Sequence, residues 1–296
     1  MSDSKEAKSA IVIPVGPGKE SAVDTLESVA FYSAEPHLIV IVDDHTQDGT
    51  YEALTSRKRA NWRILRNPRP MGCIRLVHSL CSAYRLILSE TKCTLVLRLD
   101  QDALIIKSGV LSEARAYTEA TPAVGMFGVY DQDYNRPRSF ESHRNAIEDE
   151  MGAVRKLVGL QPSWAGLYRL ALQHGYRTGD NVFGGAYFLT RSCLEAMDAQ
   201  GALVVPYRWH SRLMEDVYFS MATVAAGFGL GHFAAPSGPL CLEWRGLPFT
   251  ASKLAESPYK VVHSVDKGKN TDRASNGGLT AREYFRAVRR QEHIVG

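Results

Sequence analysis

The sequence predicts an α/β protein built on a mostly parallel sheet with helices on both faces. Two observations carry this. Short apolar, β-branched runs alternate with helix-length amphipathic stretches, and the runs are apolar at consecutive positions rather than at every second one. A strand with one wet face alternates, whereas a strand buried on both faces does not. At 296 residues the chain is long enough to bury a sizeable core as one large α/β domain or two small ones.

The elements follow in order. "AIVIPV" (10–15) reads as a strand and leads into a helix from about Ser21 to Tyr32. "HLIVIVDD" (37–44) precedes the helical "TYEALTSR", and "WRILRN" (62–67) precedes a helix carrying Leu76, Leu80, Ala83, Tyr84 and Ile87. "TLVLRLDQD" (94–102) ends the series, and right-handed crossovers are expected throughout.

Composition excludes several classes. Hydrophobic residues are 45% and charged residues 23%, ordinary soluble usage without repeats or low-complexity tracts, which rules out a disordered or fibrous chain. The net charge of +3 is small and the basic residues are scattered except near the C-terminus, so a nucleic-acid partner is not expected and an anionic small molecule fits better. The five cysteines form an odd set without C-x-x-C spacing and read as reduced core residues, not as a disulfide framework or a zinc site. "MSDSKEAKSA" has no apolar segment behind it, and no run approaches the roughly 18 apolar residues of a membrane span, so a cytoplasmic protein is expected.

In a parallel sheet, ligands collect outside the carboxyl ends of the strands. The four strands bring Pro14 to Gly18, Asp43 with Asp44, Asn67 to Arg75, and Asp100 with Asp102 to one rim. Asp100 and Asp102 repel one another unless a cation sits between them, and oxygen ligation favours Mg²⁺ or Mn²⁺, which would bridge the protein to a phosphate. An isolated D-x-D is otherwise a solvated acidic turn. Further on, "NVFGGAYFLTRSCLEAM" (181–197) is a strand entered through two glycines, which allow close approach of a ligand to the backbone. "MEDVYFSMATVAAGF" (214–228) is a helix opening on Glu215 and Asp216, acids that also complement a helix dipole.

The order "IVIPV", "IVIVDDHTQDGT", "LRLDQDA", "GGAYFLTR", "MEDVYFSMATVAAGF" resembles the inverting, family 2-like nucleotide-sugar glycosyltransferases of GT-A fold, over roughly residues 10–232. The resemblance implies a single GT-A-type domain with a donor half at 1–129, an acceptor-binding and catalytic half at 130–263, and a mobile C-terminal segment with a basic helix at 264–296. Matched position by position, it implies that Pro14, Val15, Gly16 and Asp43 or Asp44 meet the nucleotide, with Arg75 and Gln101 as further donor contacts. Asp100 and Asp102 match the D-x-D that holds the donor diphosphate through Mn²⁺ or Mg²⁺, and His263 in "YKVVHSV" falls where some members place a third metal ligand. Gly184, Gly185 and Ala186 match the segment lining the sugar and acceptor site. Asp216 matches the general base, with Glu215 beside it.

The chemistry gives each position a reason. A divalent ion stabilises charge on the leaving nucleoside diphosphate, and a carboxylate must take the proton of a weakly nucleophilic acceptor hydroxyl. His45-Thr46 stand where the family usually has Gly-Ser, and Ala103 replaces a further acid after the D-x-D. With no Q-x-x-R-W after "MED", single addition fits better than processive synthesis, and UDP is the first candidate nucleotide on family frequency. Trp209, Trp244 and Trp164 are candidates for a sugar-stacking platform, although large aromatics usually serve a core.

Residues 130–180 read as an acceptor-side insertion or a homodimer contact, with Ile147, Met151, Val154 and Val158 at helical spacing. "LTAREYFRAVRRQ" reads as a helix with a capping box at Thr280 and Glu283 and a basic face of Arg282, Arg286, Arg289 and Arg290. That face fits a lid, a weak membrane or partner contact, or a solvated tail helix. Two rival functions share parts of the pattern. A receiver-like phosphoacceptor would use Asp100 but leave residues 130–296 unexplained, and a sugar nucleotidyltransferase would need a more basic loop than "PVGPGKE".

Overall fold

The computed structural model describes residues 7–134, 136–152, 159, 161–205, 211–268, 273 and 276–295. The expected alternation is present: strands β1 (Ser9–Val15), β2 (His37–Asp43), β3 (Trp62–Arg66) and β4 (Leu95–Leu99) alternate with helices α1 (Lys19–Tyr32), α2 (Thr50–Ser56) and α3 (Leu76–Glu90). A short β5 (Ala103–Ile105), helix α4 (Val110–Ala120) and β6 (Val124–Gly128) follow. The second half holds a small hairpin, β7 (Gln132–Asp133) and β8 (Arg136–Pro137), then α5 (Glu141–Met151), α6 (Ala165–Gln173), β9 (Ala186–Thr190), α7 (Arg191–Ala199) and α8 (Glu215–Ala225). The chain continues through β10 (Gly229–His232), β11 (Leu240–Leu242), α9 (Ala251–Glu256), β12 (Val261–His263) and α10 (Ala281–Val295).

The main sheet has the order β10-β6-β9-β4-β1-β2-β3. All of its neighbours are parallel except those of β9, which runs against both β4 and β6. This reversal has a functional consequence. The carboxyl ends of β1 to β4 and the entry to β9 lie on one rim, and Asp100 N–H donates to the Gly185 carbonyl at 2.8 Å. A second sheet, β11-β12-β5, carries His263 to the same place, opposite Ala103.

The consecutive apolar positions are explained by two cores, one on each face. Val12, Val40 and Val96 pack with α3 and α8, whereas Ile11, Ile41, Leu97 and Leu99 pack with α1 and α4. A third cluster lies under the small sheet and takes in Ala281 and Phe285 of α10. Helix α8 is buried at every position but Val224, as a helix apolar all round must be.

Several expectations change in detail. The D-x-D strand ends at Leu99, so both aspartates sit in the turn before β5. Four cysteines are buried, but Cys73 is exposed. Ile147 is buried, whereas Val154 and Val158 lie outside the described residues. The capping box forms in both directions, from Thr280 N–H to Glu283 and from Glu283 N–H to the Thr280 hydroxyl. Most of the basic face of α10 is docked: Arg282, Arg286 and Arg289 all converge on Asp24 of α1, because that carboxylate is 1% exposed and needs a counter-charge, while Arg290 is exposed. Among the described residues no helix is long and apolar enough to cross a membrane.

Candidate active site

The rim of the sheet opens into a cleft of about 380 Å³ lined by Pro14, Val15, Gly16, Pro17, Val42, Asp44, Gly72, Cys73, Leu76, Ser79, Asp100, Gln101 and Asp102. A hollow of about 530 Å³ elsewhere on the surface, lined by Tyr130, Arg177 and Asp180 among others, shares none of these residues. The smaller cleft is the one that the strand ends build.

At its floor, Asp100, Asp102 and His263 bring one ligand atom each to within 4.8 Å of one another. His263 Nε2 lies 3.1 Å from Asp102 and 3.7 Å from Asp100. The imidazole is 2% exposed, and its Nδ1 has no hydrogen-bond partner among the described residues. Gly185 explains how the ring fits: its φ of +91° is costly for any side chain, and a Cβ there would lie 2.7 Å from His263 Nδ1. Lys267 Nζ reaches Asp102 at 3.2 Å and sits 4.9 Å over the ring of Trp244, which is 58% exposed. Burial opposes ionisation of Asp102, but the hydrogen bond and charge of His263, aided by Lys267, hold its carboxyl well below the usual range.

Across the entry to β9 lies Asp216. Its Oδ2 accepts from Asn181 Nδ2 at 2.8 Å and Gly184 N–H at 3.1 Å, and its Oδ1 accepts from Val217 N–H at 2.8 Å. Arg138 in turn donates to the Asn181 backbone carbonyl at 2.7 Å and to its side-chain Oδ1 at 3.4 Å, so the residue that orients Asp216 is itself held. A side chain at Gly184 would crowd Glu215 and Asp216, at 3.2 and 3.6 Å from its Cβ. His143 of α5 is within electrostatic reach of Asp216. Burial pushes this imidazole's pKa down and Arg138 adds to the effect, against the pull of Asp216.

Not every sequence candidate meets the cleft with a free group. Asp43 is fully buried, bound to the Thr46 hydroxyl at 2.5 Å and paired with Arg66 at 3.2 Å, so it shapes the loop. Asp44 lines the cleft, with its oxygens engaged by Met71 N–H, Gly72 N–H and Asn67. Gln101 spends its amide on Gly16 N–H and the Pro17 carbonyl, at 2.8 and 2.9 Å, and so fastens the first loop to the D-x-D turn. Arg75 is half-buried on a 3₁₀ turn (Cys73–Arg75) and does not line the cleft. Trp209 lies outside the described residues, and Trp164 is 2% exposed and bonded to Ser211, which leaves Trp244 as the tryptophan beside the acids. His45 adopts φ 58°, a conformation that glycine takes without strain; Thr46 supplies the hydroxyl that caps Asp43.

Five residues of this site were not singled out from sequence: Arg98, Lys267, Asn181, Arg138 and His143. Arg98 was visible as the single charge inside "LVLRL", and Asn181 stands just ahead of the two glycines. Neither Lys267 nor His143 carries a local signal.

No protein-family model matches the chain, and no curated protein matches its sequence. Similar solved structures include the mannosyltransferase PcManGT from Pyrobaculum calidifontis in complex with GDP-Man and Mn²⁺, 15% identical over 79% of this chain and 56% of that one, with a TM-score of 0.49. TarS from S. aureus is 15% identical over 77% of this chain and 35% of its own, with a TM-score of 0.44. TarS 1–349 in complex with UDP-GlcNAc is 14% identical over 77% and 56%, with a TM-score of 0.45. The chain thus spans little more than half the length of these neighbours, or less.

Proposed function

We propose that the chain is a metal-dependent, inverting glycosyltransferase that moves a single sugar from a nucleotide-diphosphate sugar, UDP being the first candidate, to an acceptor hydroxyl. The observation that carries this reading is the convergence of Asp100, Asp102 and His263 beside the strand-end cleft, with Asp216 fixed across the Gly184–Gly185 entry.

The donor set fits a divalent cation. Two carboxylates and one imidazole nitrogen suit Mn²⁺ or Mg²⁺, and the acids are paired with Arg98 and Lys267. When bound, the cation supplies Lewis-acid stabilisation of the departing diphosphate. The protein's own groups do the rest. The Pro14–Pro17 loop and Asp44 line the nucleotide cleft, and Gln101 keeps that loop in register with the metal ligands. Asp216 receives the acceptor proton; its three hydrogen bonds fix the carboxylate before substrate arrives. Trp244, exposed next to Lys267, offers a ring face to a pyranose.

The test is a thermal-shift panel of UDP, GDP, CDP, dTDP, ADP and their sugar conjugates, each with Mn²⁺ and with EDTA. One nucleotide should raise the melting temperature, the shift should vanish with EDTA, and Asp102→Asn should remove it. No shift from any nucleotide for the folded protein would overturn the donor reading. Consumption of a nucleoside triphosphate with release of pyrophosphate would replace it with nucleotidyl transfer.

A further inference from the structure

Arg98 is 1% exposed, and its guanidinium lies between two acids from opposite parts of the chain. Nη2 is 2.7 Å from Asp100 Oδ1 and 3.0 Å from Glu215 Oε1. Strand alternation explains the placement. Val96 and Arg98 share the face of β4 covered by α3 and α8, and an arginine is long enough to carry its charge from mid-strand to the carboxyl end. The guanidinium rests 5.5 Å from the centre of the Tyr187 ring, but its Nε and Nη1 have no hydrogen-bond partner among the described residues. Taking such a group out of water costs several kcal/mol, and an apolar residue like Val96 would have filled the position without that cost. The acids it holds are the informative part: Asp100 belongs to the metal cluster, and Glu215 directly precedes Asp216.

We propose that Arg98 is a positioning residue: it occupies Asp100 Oδ1 so that only Oδ2 faces the metal position, and it ties the metal cluster to the start of α8. This rests on the metal-dependent reading above. Asp100 Oδ2 is the oxygen turned toward His263, while Oδ1 is turned back to Arg98. A freely rotating carboxylate would offer either oxygen or both. Fixing one oxygen restricts the ligand to a single geometry, as hydrogen-bond partners of metal ligands generally do. The same guanidinium fixes Asp100 relative to Glu215, the residue next to Asp216, and so would hold the metal ligands in register with the carboxylate that would receive the acceptor proton.

The experiment titrates Mn²⁺ alone into the full-length wild-type chain, Glu215→Gln, Arg98→Lys and the double variant Arg98→Met/Glu215→Gln, followed by calorimetry. The double variant removes both charges together and so avoids a buried, unpaired carboxylate that could prevent folding. Glu215→Gln should bind Mn²⁺ within about threefold of wild type, and Arg98→Lys should be intermediate. The double variant should bind at least tenfold more weakly, within the roughly 10–100-fold that loss of a ligand's partner costs. A folded double variant with wild-type Mn²⁺ affinity would overturn the inference alone, making Arg98 only a counter-charge for Glu215. Should the double variant not fold, wild-type affinity in Arg98→Lys would overturn it equally. Absence of Mn²⁺ binding by the wild-type chain would remove the metal reading, and this inference with it.

Discussion

Two buried ion clusters flank the D-x-D turn, and they are opposites in charge. At the rim, Arg98 serves Asp100 and Glu215, with Asp102 and Asp216 close by, so carboxylates are in excess. Behind the turn, Asp24 is met by Arg282, Arg286 and Arg289, and guanidinium groups are in excess. The clusters also differ in how completely they are closed. Arg282 goes on to bond Asp266 at 2.8 Å and the Gln101 carbonyl at 3.0 Å, and Tyr32 of α1 donates to Glu292 of α10. That network joins α10 to the first helix and borders a pocket of about 340 Å³ in which Glu20, Asp24 and Glu27 are matched by Lys19, Arg57, Arg286 and Arg290. The rim cluster borders a cleft whose charged lining is acidic throughout, from Asp44, Asp100 and Asp102. The contrast teaches that a buried ion network reads as a site when its charge is left unbalanced toward solvent, and as a clasp when its extra charges are met inside.

The largest effect that would break this comparison is loss of chemistry without loss of fold. Asp216→Asn keeps the shape and the acceptance from Gly184 N–H but cannot take a proton, so release of nucleoside diphosphate should fall by about 10²- to 10⁴-fold. The donor-induced thermal shift with Mn²⁺ should persist. Loss of that shift together with activity would move Asp216 into the clasp category. Asp24→Asn should do the reverse. It leaves arginines buried without their counter-charge, at a cost of about 3–5 kcal/mol in urea unfolding, while Mn²⁺ still binds the folded fraction. Unchanged stability in Asp24→Asn would show that α10 is held by its other contacts, the apolar Ala281 and Phe285 and the Arg282–Asp266 pair among them.

The two clusters were not equally legible in the sequence. The D-x-D, the Gly184–Gly185 pair and the acids of "MED" each sit at the end of a local, strongly patterned element; the expected parallel sheet placed the D-x-D on the rim, and the resemblance joined the other two to it. His263 needed the resemblance, because "YKVVHSV" by itself describes a core histidine, and its position follows from pairing of β12 with β5. The Asp24 clasp left no trace, since Arg282 and Asp24 are 258 residues apart and a basic helix face looks the same whether solvated or docked. Gln101 shows another limit of local pattern: it lines the cleft, but that its amide is spent on the backbone of the neighbouring loop is decided by topology. Local pattern reveals which element a residue lies on; which distant charge faces it is decided by topology.

The smallest expected effect concerns Glu215, and it sharpens the comparison by titrating the rim directly. Burial pushes its carboxyl up from 4.5 to about 7; Arg98 opposes this, while Asp216 and Asp100 add to it. The folded protein therefore holds a proton between pH 4.5 and 7 that the unfolded chain has released. Stability from this group is fully present below pH 4.5 and is lost as pH rises through 7. In EDTA, the difference in unfolding free energy between wild type and Glu215→Gln should change by roughly 3 kcal/mol from pH 4.5 to 8, with wild type the one that weakens. A pH-independent difference would mean that Arg98 alone balances Glu215. In that case the excess of acid at the rim would be confined to Asp100, Asp102 and Asp216, nearer the cleft, where an incoming cation meets it.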